Sequence, residues 1–189
     1  MSEPVRRIVT GHDAEGRAIF IADGAPPRVV QFGAERGTTF TELWATQQTP
    51  ARIEAASGEP EEGGIVLAPP KGGTRIRIVD FPPEDESAPA VDAETAKALF
   101  AEMSAAYASR HAGSETRHAF MHRTESVDYG IVLEGEITLI LDVGETVVRA
   151  GGVVVQRGTN HGWANRSGKP CRICFVLVDG AFAPELADL

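Results

Sequence analysis

The stretch from Ala119 onward constrains the fold more than any other part of this chain. Short apolar segments follow one another in quick succession: "DYGIVLEG", "EITLILD", "ETVVRA", "GVVVQRG", "HGWANRS" and "CRICFVLVD". The breaks between them, "EG", "DVGE", "AGG", "RGTN" and "RSGKP", supply the Gly, Asn and Asp that tight turns need. Segments this short leave no room for helical crossovers. They predict an antiparallel all-β sandwich or barrel.

The first half is less regular. "VRRIVT" (5–10) and "RAIFIA" (17–22) read as two strands around the turn "GHDAEG", and "GAPPRV" breaks regular structure. "TTFTELWAT" (38–46) is rich in β-formers, and residues 47–73 read as a long loop. "TRIRIVDF" (74–81) alternates cleanly, with Ile76 and Ile78 on one face and Arg75 and Arg77 on the other. It reads as a half-buried strand whose arginines guard an exposed side against uncontrolled edge pairing. "VDAETAKALFAEMSAAYAS" is a helix: Asp92 caps it, Glu94 suits the first turn, and Ala96, Leu99, Phe100, Met103 and Tyr107 recur at helical spacing. Gly113 is its expected stop.

The totals exclude some partners. At 189 residues the chain suits one domain with a hydrophobic core. Its net charge of −9, with acidic runs at "GEPEEGG" and "PEDES", argues against nucleic acid and against an anionic membrane surface. The N-terminus has no secretory pattern, and the longest apolar run, "ICFVLV", is too short to span a bilayer. Cys171 and Cys174 are three apart on an expected strand, a poor geometry for pairing, so a reduced cytoplasmic protein is the expectation. No P-loop or dinucleotide fingerprint is present, and no organic cofactor is expected.

Two stretches carry potential chemistry, "MHRTESVDYGIVLEG" (121–135) and "GTNHGWAN" (158–165). Residues 119–179 resemble a cupin, a small antiparallel jelly-roll barrel. The first cupin motif runs Gly, five residues, His-x-His, three or four residues, Glu, six residues, Gly. His122 falls on its first histidine, Thr124 on the second, Asp128 on the glutamate and Gly135 on the final glycine; Thr116 stands where the opening glycine would be. The second motif matches in Gly158, His161 and Asn165, with Gln156 at its proline position. The resemblance implies an all-β jelly-roll barrel over residues 117–179, an N-terminal strand extension (1–90) packed on it, one external helix (91–112) and a tail (180–189). It also implies a homodimer. The fold hosts many chemistries and does not choose among them.

On a strand, side chains alternate, so His122 and Thr124 share one face and Asp128, Gly130 and Val132 share another. A barrel brings these to His161 and Trp163 around one small-molecule pocket, with Thr124, Val132, Gln156 and Trp163 in its lining. His122, Asp128 and His161 make a two-histidine, one-carboxylate set suited to Fe, Mn, Ni or Zn. Thr124 removes one usual ligand, which leaves three readings open. The first is a metal-dependent enzyme of lyase, isomerase or dioxygenase type. The second is a metal-free acid–base enzyme in which His122 or His161 acts as general base or acid, oriented by Asp128, with Tyr129 as a candidate proton donor. The third is a non-catalytic ligand-binding protein. Tyr129 is expected to point outward, and His118 reads as an exposed loop histidine.

Overall fold

The structure, a computed structural model, describes residues 3–33, 37–55, 58, 65–85, 91–105 and 117–187. Eleven strands and two helices occupy them. The strands are β1 (Arg7–His12), β2 (Ala18–Gly24), β3 (Arg28–Phe32), β4 (Thr38–Thr46), β5 (Thr74–Phe81), β6 (Ser126–Glu134), β7 (Glu136–Leu141), β8 (Glu145–Arg149), β9 (Val153–Arg157), β10 (His161–Ala164) and β11 (Cys171–Asp179). The helices are α1 (Ala93–Glu102) and the short α2 (Pro184–Ala187). Strands β6 to β11 coincide with the six apolar segments, and the all-β jelly-roll expectation holds. Strand β3 begins directly after "GAPP", inside the stretch read as a break; the prolines end one strand and the next starts at Arg28.

A six-stranded sheet of order β3-β4-β5-β11-β6-β9 faces a three-stranded sheet of order β10-β7-β8. Their shared core contains Val132 of β6, Ile137 of β7, and Cys171 and Ile173 of β11, with Trp163 and Phe175 packed against it. Gly135, the last residue of "VLEG", turns β6 into β7 at φ 73°, where a Cβ would meet Pro170 O at 2.5 Å. Cys171 and Cys174 are both free thiols. Among the described residues no helix is long and apolar enough to cross a membrane.

Two expectations change here. Strands β3, β4 and β5 do not pack on the barrel from outside; they continue its main sheet. Strand β5 pairs with β11 from Cys171↔Phe81 to Val178↔Thr74 and with β4 on its other side. Of the strands β1 to β5, the hairpin β1–β2 stands outside that sheet and forms a two-stranded sheet. A strand central to a sheet needs no charged guard, and the arginines of β5 face inward. Arg75 and Arg77 are each 2% exposed and share Glu42 of β4, at 3.2 Å and 3.1 Å. Alternation correctly separated the two faces of β5 but could not say which one the barrel encloses.

Helix α1 begins as expected, with the Asp92 side chain accepting from Thr95 N at 2.7 Å. It ends at Glu102, short of residue 112. Ser104 takes the left-handed conformation at φ 52°, and the Ala105 N–H returns to Phe100 O at 2.8 Å. Tyr107, His111 and Gly113 lie outside the described residues. The buried face of α1 (Ala96, Phe100, Met103) joins Ile65 and Leu67, and the Leu67 N–H donates to Met103 O at 3.0 Å. This face does more than pack: Leu99, Phe100 and Met103 also wall the cavity described next.

Candidate functional site

The barrel encloses a cavity of about 510 Å³. Its walls are mostly aromatic and aliphatic, including Phe40, Phe100, Phe120, Trp163 and Phe175. Gly130 makes room for this wall, because a Cβ there would stand 3.0 Å from the Phe175 ring. The polar groups that reach the cavity include Arg77, His118, His122, Asp128 and His161.

His122 and His161 come together as their motif positions imply. The short segment at His122 pairs with the start of β10: the His122 N–H donates to His161 O at 2.8 Å, and the reverse bond is 2.9 Å. The two rings sit side by side with centroids 4.3 Å apart. Each ring is oriented by a backbone carbonyl: His122 Nδ1 lies 3.0 Å from Phe120 O, and His161 Nδ1 lies 3.0 Å from Thr159 O. A carbonyl can only accept, so each Nδ1 carries the proton and each Nε2 keeps a lone pair. Burial lowers the affinity of both rings for a second proton. The Phe120 carbonyl opposes this at His122, and the nearby His118 adds to it. His161 is pushed down to about 3 by burial and by His122, against the pull of the Thr159 and His122 carbonyls. Both imidazoles are therefore neutral near pH 7.

Asp128 sits on β6 between Gln156 of β9 and Leu177 of β11. It is 7% exposed, and its Oδ1 has no hydrogen-bond partner. Burial pushes its carboxyl up to about 6, while the Ser126 hydroxyl and the charge of Arg77 hold it down.

The expected three-ligand metal set is not assembled. Among the described residues no three His, Cys, Asp or Glu side chains gather closely enough to hold one ion. His122 and His161 would offer an ion two nitrogens, and Asp128 reaches the same cavity without completing the group. A protein-held Fe, Mn, Ni or Zn usually needs at least three ligands, so the described residues do not fit one.

Of the expected lining residues, Trp163 faces the cavity and the other three do not. Thr124 is buried, but its hydroxyl is taken by Ser126 Oγ at 2.7 Å. Val132 lies in the inter-sheet core. Gln156 is buried and turns its Nε2 to the Thr159 hydroxyl and carbonyl. All three point inward as alternation requires, yet inward here means packed protein rather than open space. Tyr129 faces outward, 42% exposed.

His118 differs from its expected place in the other direction. Its side chain is 17% exposed, lines the cavity and holds Glu84 Oε1 at 3.1 Å through Nε2. Glu84 is itself anchored through its N–H to Asn165 O at 2.9 Å. Asn165 in turn donates to Phe81 O and Lys169 O. The motif asparagine thus ties the loop carrying Glu84 to the barrel. A histidine four residues before His122 was the only sequence signal for this pair.

Comparison with known proteins points the same way as the motifs. Residues 108–178 match the family described as a cupin domain. Phomopsin biosynthesis cluster protein C' of Diaporthe leptostromiformis is 36% identical over 182 residues, covering 92% of this chain and 77% of that protein. The cupin-domain-containing oxidoreductase fogC of Aspergillus ruber is 30% identical over 183 residues, covering 93% of this chain and 72% of that protein. Among solved structures, a putative ethanolamine utilization protein Q from Salmonella typhimurium LT2 aligns with 95% of this chain and 99% of its own. The TM-score is 0.44 and the identity 11%.

Proposed function

This chain belongs to the cupin superfamily, and on that footing we propose that it is an enzyme moving a proton on a small, largely apolar organic molecule held in the barrel. Asp128 is the proton-transferring group. One observation carries the reading: a carboxyl in an apolar cavity wall, its Oδ1 without a partner, with an affinity for protons raised to about 6. A base works best when its pKa lies near the working pH, and strongly perturbed carboxyls in clefts mark such groups. In the step, the Asp128 carboxylate takes a proton from the bound molecule. The bond to hydrogen breaks, an O–H bond forms on Asp128, and the electron pair stays on the substrate. Returning the proton at the same or a neighbouring atom completes the turnover. His122 and His161 orient the molecule as neutral hydrogen-bond acceptors, since burial opposes their taking the proton themselves.

The test works without an identified substrate. A panel of small carbonyl and hydroxy compounds is incubated with the protein in D2O and followed by NMR. Solvent deuterium is expected in at least one compound, and the Asp128→Asn variant is expected to lose that exchange. Exchange unaffected by Asp128→Asn would sink the assignment. Relatives named cupin-domain-containing oxidoreductases support a second reading, oxidation of the bound molecule. It predicts an oxidised product under air from a compound that does not exchange. A homodimer belongs to the proposal too. The exposed Tyr129, Val153 and Val155 on the outer face of β6 and β9 support it, and light scattering tests it.

A further inference from the structure

The polar side of the cavity is dominated by lone pairs. His122 and His161 each spend their ring proton on a carbonyl and keep a lone pair on Nε2. No hydrogen-bond donor among the described residues meets either Nε2. Asp128 adds a buried oxygen without a partner. Two of the charged or imidazole groups on this wall are already committed elsewhere. Arg77 is held by Glu42 and the Val66 carbonyl, and His118 by Glu84. Acceptors in an apolar wall favour a donor, and no hydrogen bond from a described residue reaches these two Nε2 atoms or Asp128 Oδ1.

A carboxylate or phosphate would bring more lone pairs to this set and would lose its own hydration on entry. A hydrocarbon would leave every acceptor unmet. A hydroxyl group is a donor that stays neutral, and the aromatic walls suit an apolar body behind it. We propose that the ligand of this cavity is a neutral hydroxylated molecule, an alcohol or phenol on an apolar frame, bound by donation to the His122–His161 pair, and that anions are excluded. The inference rests on the cavity being the substrate site, as the proposed function has it. It adds the chemical class that the site selects.

The probes are four molecules on one ring: 1,2-benzenedimethanol, benzyl alcohol, benzyl methyl ether and benzoate. Affinities are read by ligand-observed NMR on protein dialysed against EDTA. Benzyl alcohol is expected to bind about tenfold tighter than its methyl ether, the worth of one hydrogen bond to a buried acceptor. The diol is expected to bind tighter still, and benzoate more weakly than the ether. In His122→Leu and His161→Leu, checked for folding by thermal melting, the preference for alcohol over ether is expected to shrink. The inference is overturned if the ether or benzoate binds as tightly as the alcohol, if no probe binds, or if alcohol binding vanishes with EDTA. The wild-type ranking decides the matter even where a variant fails to fold. Ether binding equal to alcohol binding would remove this inference while leaving the Asp128 exchange test standing. Exchange independent of Asp128 would do the reverse.

Discussion

Two groups of buried polar residues in this barrel meet the same physical problem and resolve it differently. Glu42, Arg75 and Arg77 bury three charges in the six-stranded sheet, and each charge has an ion-pair partner: one carboxylate between two guanidinium groups, with the Ala68 and Val66 carbonyls beside them, although Glu42 Oε1 and Arg77 Nε, 3.1 Å apart, do not meet in hydrogen-bond geometry. His122, His161 and Asp128, only a few strands away, keep their second nitrogens and one oxygen unpaired. The first group is built of ion pairs and links β4 to β5. The second is open, with acceptors turned toward a cavity where a bound molecule can meet them. Buried polarity alone therefore does not mark a site; acceptors outside any ion pair that face a cavity are the better mark.

The largest expected effect separates the two groups by function. Asp128→Asn should reduce deuterium exchange by about 10²- to 10⁴-fold, the usual worth of a positioned general base, while benzyl alcohol still binds. Glu42→Gln should act on stability instead. Breaking a buried ion pair typically costs about 3–5 kcal/mol, to be read from urea unfolding, because the remaining charges are left uncompensated. If Glu42→Gln proved neutral, the ion-paired group would not be structural and the contrast would fail.

The next prediction is one of pH. The carboxyl of Asp128 binds its proton more tightly in the folded chain, at about 6, than in an unfolded one at roughly 3.9. Its contribution to stability is thus fully present in acid and is lost as the pH rises through 4 to 6, by about 3 kcal/mol. The difference in unfolding free energy between the wild type and Asp128→Asn, measured at pH 4 and pH 7, should change by that order, with the variant gaining at pH 7. The two histidines act with the opposite sign. Their lowered affinity for protons makes stability fall as the pH drops below about 6.5.

Gly130→Ala should cost about 1–3 kcal/mol by overpacking against Phe175, and should weaken probe binding by narrowing the cavity. The smallest expected effect concerns metal. Protein purified without added ions should carry no stoichiometric Fe, Mn, Ni or Zn, and His122→Ala and His161→Ala should leave its metal content unchanged. A full equivalent of metal lost in either variant would show that the two histidines suffice as protein ligands and would replace the acid–base reading.

Much of the fold was legible in the sequence because local rules govern it. Turn residues between short alternating segments placed β6 to β11, and Asp92 marked the start of α1. The end of α1 was not legible: the helical spacing continues through Tyr107, whereas the chain turns away at Ser104. The site was half legible. Motif spacing brought His122 and His161 together, and Asp128 was identified as a carboxyl in the same cavity. What spacing could not supply was distance, so it suggested a three-ligand set where the structure has a pair and a separate acid. It also assigned Thr124, Val132 and Gln156 to the cavity, although their side chains are spent on Ser126, the inter-sheet core and Thr159.

By itself, then, the sequence determined the class of fold, the order of most strands and the two histidines that meet. These depend on side-chain alternation, turn chemistry and spacing along the chain, all of which are local. Only the tertiary structure decided that β5 is central and its arginines buried, that α1 lines the cavity, and that His118 belongs to the cavity wall. It also showed that Asp128 keeps one buried oxygen, Oδ1, without a hydrogen-bond partner. Those outcomes depend on which strands lie side by side and on what fills the space between sheets, and residues far apart in the chain settle them jointly.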